Sequence, residues 1–277
     1  VRPLVVRRVP VTVTKRDPAP CPDPGAVVHD DVLLIDPGQR KIVGLHMHLP
    51  TGAAPWQWLR DRLETVDWRD TSLSARGGSR LSGIKAPSKT FGYLPPQPLR
   101  NRFTCQAADL ERADPELSAR LADLGDMAWD ETCRAMPGPS AVHHAAVQRT
   151  IEPLWRINAG AWTSGIINRN NPLPYHRDSG NLDGCVSAMV CLRRGAHGGH
   201  LHIAPYDTWL AIGDRTLTVF DGAHLMHGVS PFALDRHGRR FTIVFYVRRG
   251  LAIGAPTIED ELTRARLVAT SHDQPPA

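Results

Sequence analysis

The sequence is short of lysine and of long apolar runs, and each shortage narrows what the chain can be. Its apolar stretches are brief, as in Val32–Ile35 and Ile243–Val247. None approaches the roughly 20 residues that a transmembrane helix needs. The first residues, Val1-Arg2-Pro3-Leu4, lack the apolar core of a signal peptide. The five cysteines, Cys21, Cys105, Cys133, Cys185 and Cys191, form no CxxC pair, and their odd number suits neither a zinc ribbon nor a disulfide framework. A reducing cytoplasm is the expected setting. Only four of the 33 basic residues are lysine, Lys15, Lys41, Lys85 and Lys89. With 24 proline and 23 glycine, that bias fits the codon usage of a GC-rich genome. Acid is missing from Thr71 to Ala108, where Arg76, Arg80, Lys85, Lys89, Arg100 and Arg102 stand without a carboxylate. A local cationic stretch can contact polyanions whatever the net charge, here +5.

What is present suffices for a core. A chain of 277 residues, 42% hydrophobic and 22% charged, can bury the core of one large domain or of two small ones. Short strands are predicted at Leu4–Val6, Val11–Val13, Val32–Ile35 and Lys41–Met47. A helix is predicted over Pro55–Val66, since Trp56, Leu59 and Leu63 share a stripe. Thr71–Pro98, rich in Ser, Gly and Pro, reads as a long loop. A second helix is predicted over Asp114–Met136: Asp114 caps it, Pro115 suits its first turn, Leu117, Leu121, Leu124 and Ala128 form one face, and Pro137-Gly138-Pro139 stops it. Strands are then expected at Trp155–Asn158, Trp162–Asn168, Cys185–Leu192, His200–Ala204, Thr208–Ile212, Leu217–Phe220 and Phe241–Val247, separated by Gly and Asp turns. Such spacing indicates a sandwich or barrel. A terminal helix is expected over Thr257–Ala269.

Thirteen histidines force a choice, because a histidine on a strand is more often structural than a ligand. One constellation escapes that reading. Tyr175-His176-Arg177-Asp178 places an imidazole and a carboxylate two residues apart, on one side of an extended backbone. His227, in Met226-His227-Gly228-Val229-Ser230-Pro231, is the candidate third ligand about fifty residues on; His224 is its rival. Two histidines and one carboxylate form the facial triad of non-haem Fe(II) oxygenases, with positions open for a bidentate 2-oxo acid and O2. The distal carboxylate of 2-oxoglutarate needs a fixed cation, and the planar fork of arginine serves it best. Arg240, with Thr242 on the same side of an apolar strand, is the candidate; Arg239 is the rival that lacks the RxT register. His200 and His202 read as cavity wall or solvent-facing, and His143-His144 as surface. Asn168 either orders the pocket or caps a turn.

These motifs carry a family resemblance. Residues 155–250 resemble the double-stranded β-helix core of Fe(II)/2-oxoglutarate dioxygenases, and more narrowly the TET/JBP branch, which oxidises the 5-methyl group of pyrimidines in nucleic acid. The resemblance rests on His176-Arg177-Asp178-Ser179-Gly180-Asn181, Gly198-Gly199-His200-Leu201, Gly213-Asp214, His227-Gly228-Val229-Ser230-Pro231 and Arg240-Phe241-Thr242, with Lys89-Thr90-Phe91-Gly92-Tyr93 matching more loosely. It implies an α+β fold, a jelly-roll core with supporting N-terminal helices and a C-terminal helix. Residues 1–110 would be a β/loop extension packed on a core of residues 111–277, the two forming one continuous catalytic unit. It further implies iron on His176, Asp178 and His227, 2-oxoglutarate on Arg240 with Thr242, and O2 as oxidant. Asn181 falls where TET enzymes place a polar residue against the flipped base. Arg248 stands where they place a base-contacting histidine, so a donor-only guanidinium faces the base, 5-methylcytosine or thymine. DNA is the expected partner, gripped by Arg76, Arg80, Lys85 and Lys89, and the protein is expected to act as a monomer. A hydroxylase of a small molecule or protein side chain, and a non-catalytic β-barrel binding nucleic acid or sugar, are the other readings.

Overall fold

The computed structural model describes residues 1–68, 87–97 and 103–253. Its strands are β1 (Arg2–Val5), β2 (Val27–Val28), β3 (Val32–Asp36), β4 (Lys41–His48), β5 (Ser88–Leu94), β6 (Gln106–Ala107), β7 (Ser164–Arg169), β8 (Ser187–Gly198), β9 (Leu201–Ile203), β10 (Thr208–Leu210), β11 (Thr216–Phe220), β12 (His227–Val229) and β13 (Phe232–Tyr246). The helices are α1 (Trp56–Thr65), α2 (Asp109–Ala113), α3 (Pro115–Ala135) and α4 (Pro137–Thr150). Among the described residues the strands form a nine-stranded sheet, ordered β1-β3-β4-β11-β8-β13-β7-β5-β6, and a four-stranded sheet, ordered β12-β9-β10-β2. The two lie face to face as a double-stranded β-helix, an α+β fold.

Period-two alternation sends each large-sheet residue to one of two cores. Along β8, Ala188, Val190 and Leu192 join the helix-covered core, while Met189 and Cys191 face the small sheet. Along β13, Phe241, Ile243 and Phe245 meet the helices, where Leu59 and Leu63 of α1 and Leu117, Leu121 and Leu124 of α3 complete the layer. The alternate residues Arg240, Thr242, Val244 and Tyr246 line a cavity on the opposite face. An ideal Cβ on Gly165 would fall 2.0 Å from Phe91, so Phe91 of β5 can sit opposite this position of β7 only because the residue is glycine.

Helices α1 and α3 lie where the stripes predict. The Asp114 carboxylate accepts from Leu117 N at 3.1 Å, the first-turn cap that the sequence implies. Other expectations need correction. Pro137-Gly138-Pro139 ends α3 but opens α4, because proline fits a first helical turn as well as it blocks an interior one. Residues 88–94, read as loop, form β5, which pairs with β7 through its backbone despite little apolar content. Val11–Val13 forms no strand; Pro10 removes a donor beside it, and Val9 N instead donates to Pro205 O. Trp155–Asn158 is not extended either. Two 3-10 turns occupy it, Pro153–Trp155 and Ile157–Ala159, with Asn158 left-handed at φ 48°. The helix expected over Thr257–Ala269 lies outside the described residues. No helix among the described residues is long and apolar enough to cross a membrane.

Candidate active site

The segment between β7 and β8 carries His176 and Asp178, and β12 begins at His227. His176 and His227 exchange backbone hydrogen bonds, His176 N to His227 O at 2.8 Å and His227 N to His176 O at 3.0 Å. Their rings therefore stand side by side, 4.3 Å between centroids. Asp178 N donates to Gly222 O at 2.8 Å, which turns the carboxylate toward the same point. Asp178 Oδ1 lies 3.8 Å from His176 Nε2, and Asp178 Oδ2 lies 3.9 Å from His227 Nε2. One ligand atom from each residue lies within 4.8 Å of the others.

The histidine tautomers suit a metal. His176 Nδ1 is 2.8 Å from Pro174 O, and His227 Nδ1 is 2.8 Å from Leu225 O. A carbonyl only accepts, so each Nδ1 carries the proton and each Nε2 presents its lone pair to the shared centre. Glycine leaves the carboxylate its room. A Cβ on Gly222 would come within 2.8 Å of Asp178 Oδ2 and 2.9 Å of Ser187 Oγ. The triad thus fits a facially bound Fe(II).

These residues open into a cavity of about 330 Å³, a volume suited to small organic ligands. Leu201, Phe220 and Val229 give it apolar walls, and Arg240 and Thr242 close one end. Arg240 is 1% exposed. Its Nε has no partner among the described residues, its NH2 reaches only Gly199 O at 3.4 Å, and its guanidinium lies 5.3 Å from the Phe232 ring. Burial pushes its pKa below the usual guanidinium value. A buried cation without a carboxylate is expensive unless an anion joins it. The distal carboxylate of 2-oxoglutarate would pair with that guanidinium, so the Arg240 side of the cavity suits the co-substrate as the triad suits the metal. Asn170, which the sequence reading overlooked, holds the Arg240 backbone: its Oδ1 accepts from Arg240 N at 2.9 Å, and its N donates to Arg240 O at 2.8 Å. Gly199, left-handed at φ +72°, gives the arginine space; a Cβ there would lie 3.1 Å from Arg240 Nε. The Asn-Asn pair after a strand and the Gly-Gly turn were the signals available.

Thr242 Oγ1 accepts from Asn168 Nδ2 at 3.4 Å, so Asn168 is part of the cavity wall and not a turn cap. Asn181 is buried, donates through Nδ2 to Ser187 Oγ at 3.0 Å, and forms a backbone bridge with Arg248; both line the cavity. His224 is exposed and held by Asp221 at 2.9 Å, outside the triad. Arg239 bonds the Gly238 carbonyl at 2.7 Å and does not line the cavity. Lys89 lies opposite Ile167 in the β5–β7 ladder, on the helix-covered face and away from the cavity. Arg76, Arg80 and Lys85 lie outside the described residues.

Two histidine assignments, those of His202 and His143, are corrected by burial. His202 is core, not cavity wall: Nδ1 lies 2.6 Å from Tyr175 Oη, Nε2 lies 3.1 Å from Asp207, and the ring stacks on Trp209 at 4.1 Å. His200 is half-buried beside His29 and outside the cavity lining. His143 is fully buried, not surface. Its Nε2 donates to Ala161 O at 2.9 Å, Val186 N donates to its Nδ1 at 3.2 Å, and desolvation pushes its pKa down to about 4.

Fold and site together define a double-stranded β-helix protein built around a two-histidine, one-carboxylate centre. Comparison with known proteins finds likeness in sequence to JBP1 and in fold to NgTET1. Over 134 residues, 47% of this chain, it is 30% identical to thymine dioxygenase JBP1 of Crithidia fasciculata. That stretch spans only 16% of the relative's own length. The fold matches the structure of NgTET1 in complex with 5mC DNA at a TM-score of 0.59, covering 97% of this chain and 90% of that chain at 11% identity. The viral collagen prolyl hydroxylase of Paramecium Bursaria Chlorella virus-1 is more distant, with a TM-score of 0.39 over 73% of this chain and 94% of that chain at 11% identity. No family model matches the sequence.

Proposed function

We propose that this chain is an Fe(II)- and 2-oxoglutarate-dependent dioxygenase that hydroxylates the 5-methyl group of a pyrimidine, 5-methylcytosine or thymine, in DNA. The observation that carries the oxygenase reading is the fully buried Arg240, without an anionic partner among the described residues, at the end of the cavity that the triad shares. The DNA reading draws on the likeness to JBP1 and NgTET1, and on the acid-free stretch Thr71–Ala108. In this reading His176, Asp178 and His227 hold the iron, and Arg240 with Thr242 holds the distal carboxylate. When bound, the iron and co-substrate supply the oxidising power: one atom of O2 becomes the hydroxyl, and the other enters succinate as 2-oxoglutarate loses carbon dioxide.

The chain supplies position and dryness. The backbone bridge between His176 and His227 fixes two ligands at one height, and Gly222 admits the third. Leu201, Phe220 and Val229 keep water from the reacting end. Asn181 and Arg248 meet the edge of a base that has left the duplex stack, at a cost of a few kcal/mol. The test is mass spectrometry of nucleosides after incubation with Fe(II), 2-oxoglutarate, O2 and DNA containing 5-methylcytosine. The expected products are 5-hydroxymethylcytosine, or 5-hydroxymethyluracil if thymine is the target. Consumption of 2-oxoglutarate with neither product would overturn the DNA reading and leave the oxygenase. No consumption would overturn both.

A further inference from the structure

The cavity opens past a tight turn near the N-terminus, Thr14-Lys15-Arg16-Asp17. Asp17 N donates to Thr14 O at 3.2 Å, and Thr14 N donates to Asp17 Oδ2 at 2.6 Å, so the one carboxylate of the turn is spent on its own backbone. Arg16 is left-handed at φ 81°, a conformation that a non-glycine residue adopts only when its surroundings hold it there. What holds it is the ligand segment. Arg16 N donates to Tyr175 O at 2.8 Å, and Tyr175 N donates to Asp17 O at 2.9 Å. Tyr175 immediately precedes His176, so the turn is tied to the metal centre at a distance of one residue.

The side chains thus positioned are cationic and solvent-facing. Lys15, Arg16 and Arg177 are exposed and border the same cavity as the triad. None has a carboxylate at ion-pair distance among the described residues. Asp178 is the single acidic residue in the lining, and the triad uses it. A mouth lined by cations, above a cavity that a base can fill, matches a polynucleotide whose phosphates remain outside while one base enters.

We propose that the Thr14–Asp17 turn is a phosphate grip, in which Lys15 and Arg16, with Arg177 beside them, hold the phosphates flanking the base in the cavity. The inference rests on the DNA reading above and adds which residues hold the phosphates beside the cavity. It also places phosphate contacts on residues separate from the Thr71–Ala108 stretch. Each phosphate neutralised on a duplex contributes about −0.9 to the slope of log affinity against log salt.

The test titrates a labelled duplex bearing one 5-methylcytosine against iron- and 2-oxoglutarate-loaded protein, without oxygen, at several KCl concentrations. The double variant Lys15→Ser/Arg16→Gly suits the backbone, since glycine takes a positive φ without strain. Its slope should be shallower by about 1.8 and its low-salt affinity about ten-fold weaker. Lys15→Ser alone should shift the slope by about 0.9, and Lys15→Arg/Arg16→Lys should restore the wild-type slope. Iron stoichiometry and thermal midpoint report that each variant is folded. An unchanged slope in the double variant, while the wild type binds and oxidises the duplex, would overturn the grip and spare the DNA reading. So would turnover of 5-methyl-2′-deoxycytidine as efficient as that of the duplex, with its 5′-monophosphate no better. Wild-type protein that consumes 2-oxoglutarate but neither binds nor oxidises DNA would overturn the DNA reading itself.

Discussion

His224 and His227 stand three residues apart, yet their environments give them different chemistry. His224 is exposed and tied to Asp221 through Nδ1, whereas His227 is buried with its Nε2 turned to Asp178. His227→Ala is expected to abolish iron binding and 2-oxoglutarate turnover, and His224→Ala to retain both, as read by iron stoichiometry and succinate release. Equal losses in the two variants would refute the ligand set. The neighbouring arginines differ in the same way. Arg240→Lys keeps the charge but loses the fork, so 2-oxoglutarate affinity should fall about ten- to a hundred-fold, the loss of roughly 1.5–3 kcal/mol of charge-assisted hydrogen bonding. Arg239→Lys should leave that affinity unchanged, because Arg239 points out of the cavity. Isothermal titration of the iron-loaded variants with 2-oxoglutarate measures both.

At the scale of elements, the site is assembled by pairings between short strands and the turns that end them. Asp178 is aimed by its hydrogen bond to Gly222, two residues past the end of β11, and not by a strand of its own. Gly222→Ala would drive a methyl to within 2.8 Å of Asp178 Oδ2. The carboxylate would have to move, and iron affinity should drop about ten- to a hundred-fold, as when a group supporting a metal ligand is lost. A chelator competition would measure the change; wild-type affinity would show that the turn can relax. On the other side of the sheet, α4 is anchored through His143, which accepts from Val186 N just ahead of β8. That helix buries Ser140, His143 and Val147 at helical spacing. Its inward stripe is written partly in polar residues, which is why an apolar-stripe reading passes over it.

The whole molecule carries a pH dependence through two buried neutral histidines. Desolvation, as the leading cause, pushes both His46 and His143 down to about 4. In the unfolded chain each titrates near 6.5. Their contribution to stability is therefore fully present above about pH 6.5 and is lost as pH falls toward 4, because only the unfolded state takes up the protons. Between pH 7.5 and 5 each should cost roughly 2 kcal/mol of unfolding free energy. Urea melts at the two pH values measure the sum, and His46→Gln/His143→Gln should flatten the dependence. An equally steep loss in that double variant would place the titration elsewhere.

Much of this protein was legible in the chain because the determinants are local. Alternating apolar residues marked most of the strands of the two sheets, and the stripe of Leu117, Leu121, Leu124 and Ala128 marked α3 with its Asp114 cap. The two-residue spacing of Arg240 and Thr242 keeps both on one side of β13, and the spacing of His176 and Asp178 named a second pair that the fold brings to the same cavity. Tertiary structure decided the rest. β5 exists because β7 offers it a backbone ladder and Gly165 makes room for Phe91. Of the thirteen histidines, His143 and His202 were withdrawn from the surface by partners distant in sequence, Ala161 and Val186 for one, Tyr175 and Trp209 for the other. The turn at Lys15 and Arg16 reached the cavity mouth through two hydrogen bonds to Tyr175, about 160 residues away. Pattern within a segment reports which face is buried; only contacts between segments determine what that face meets.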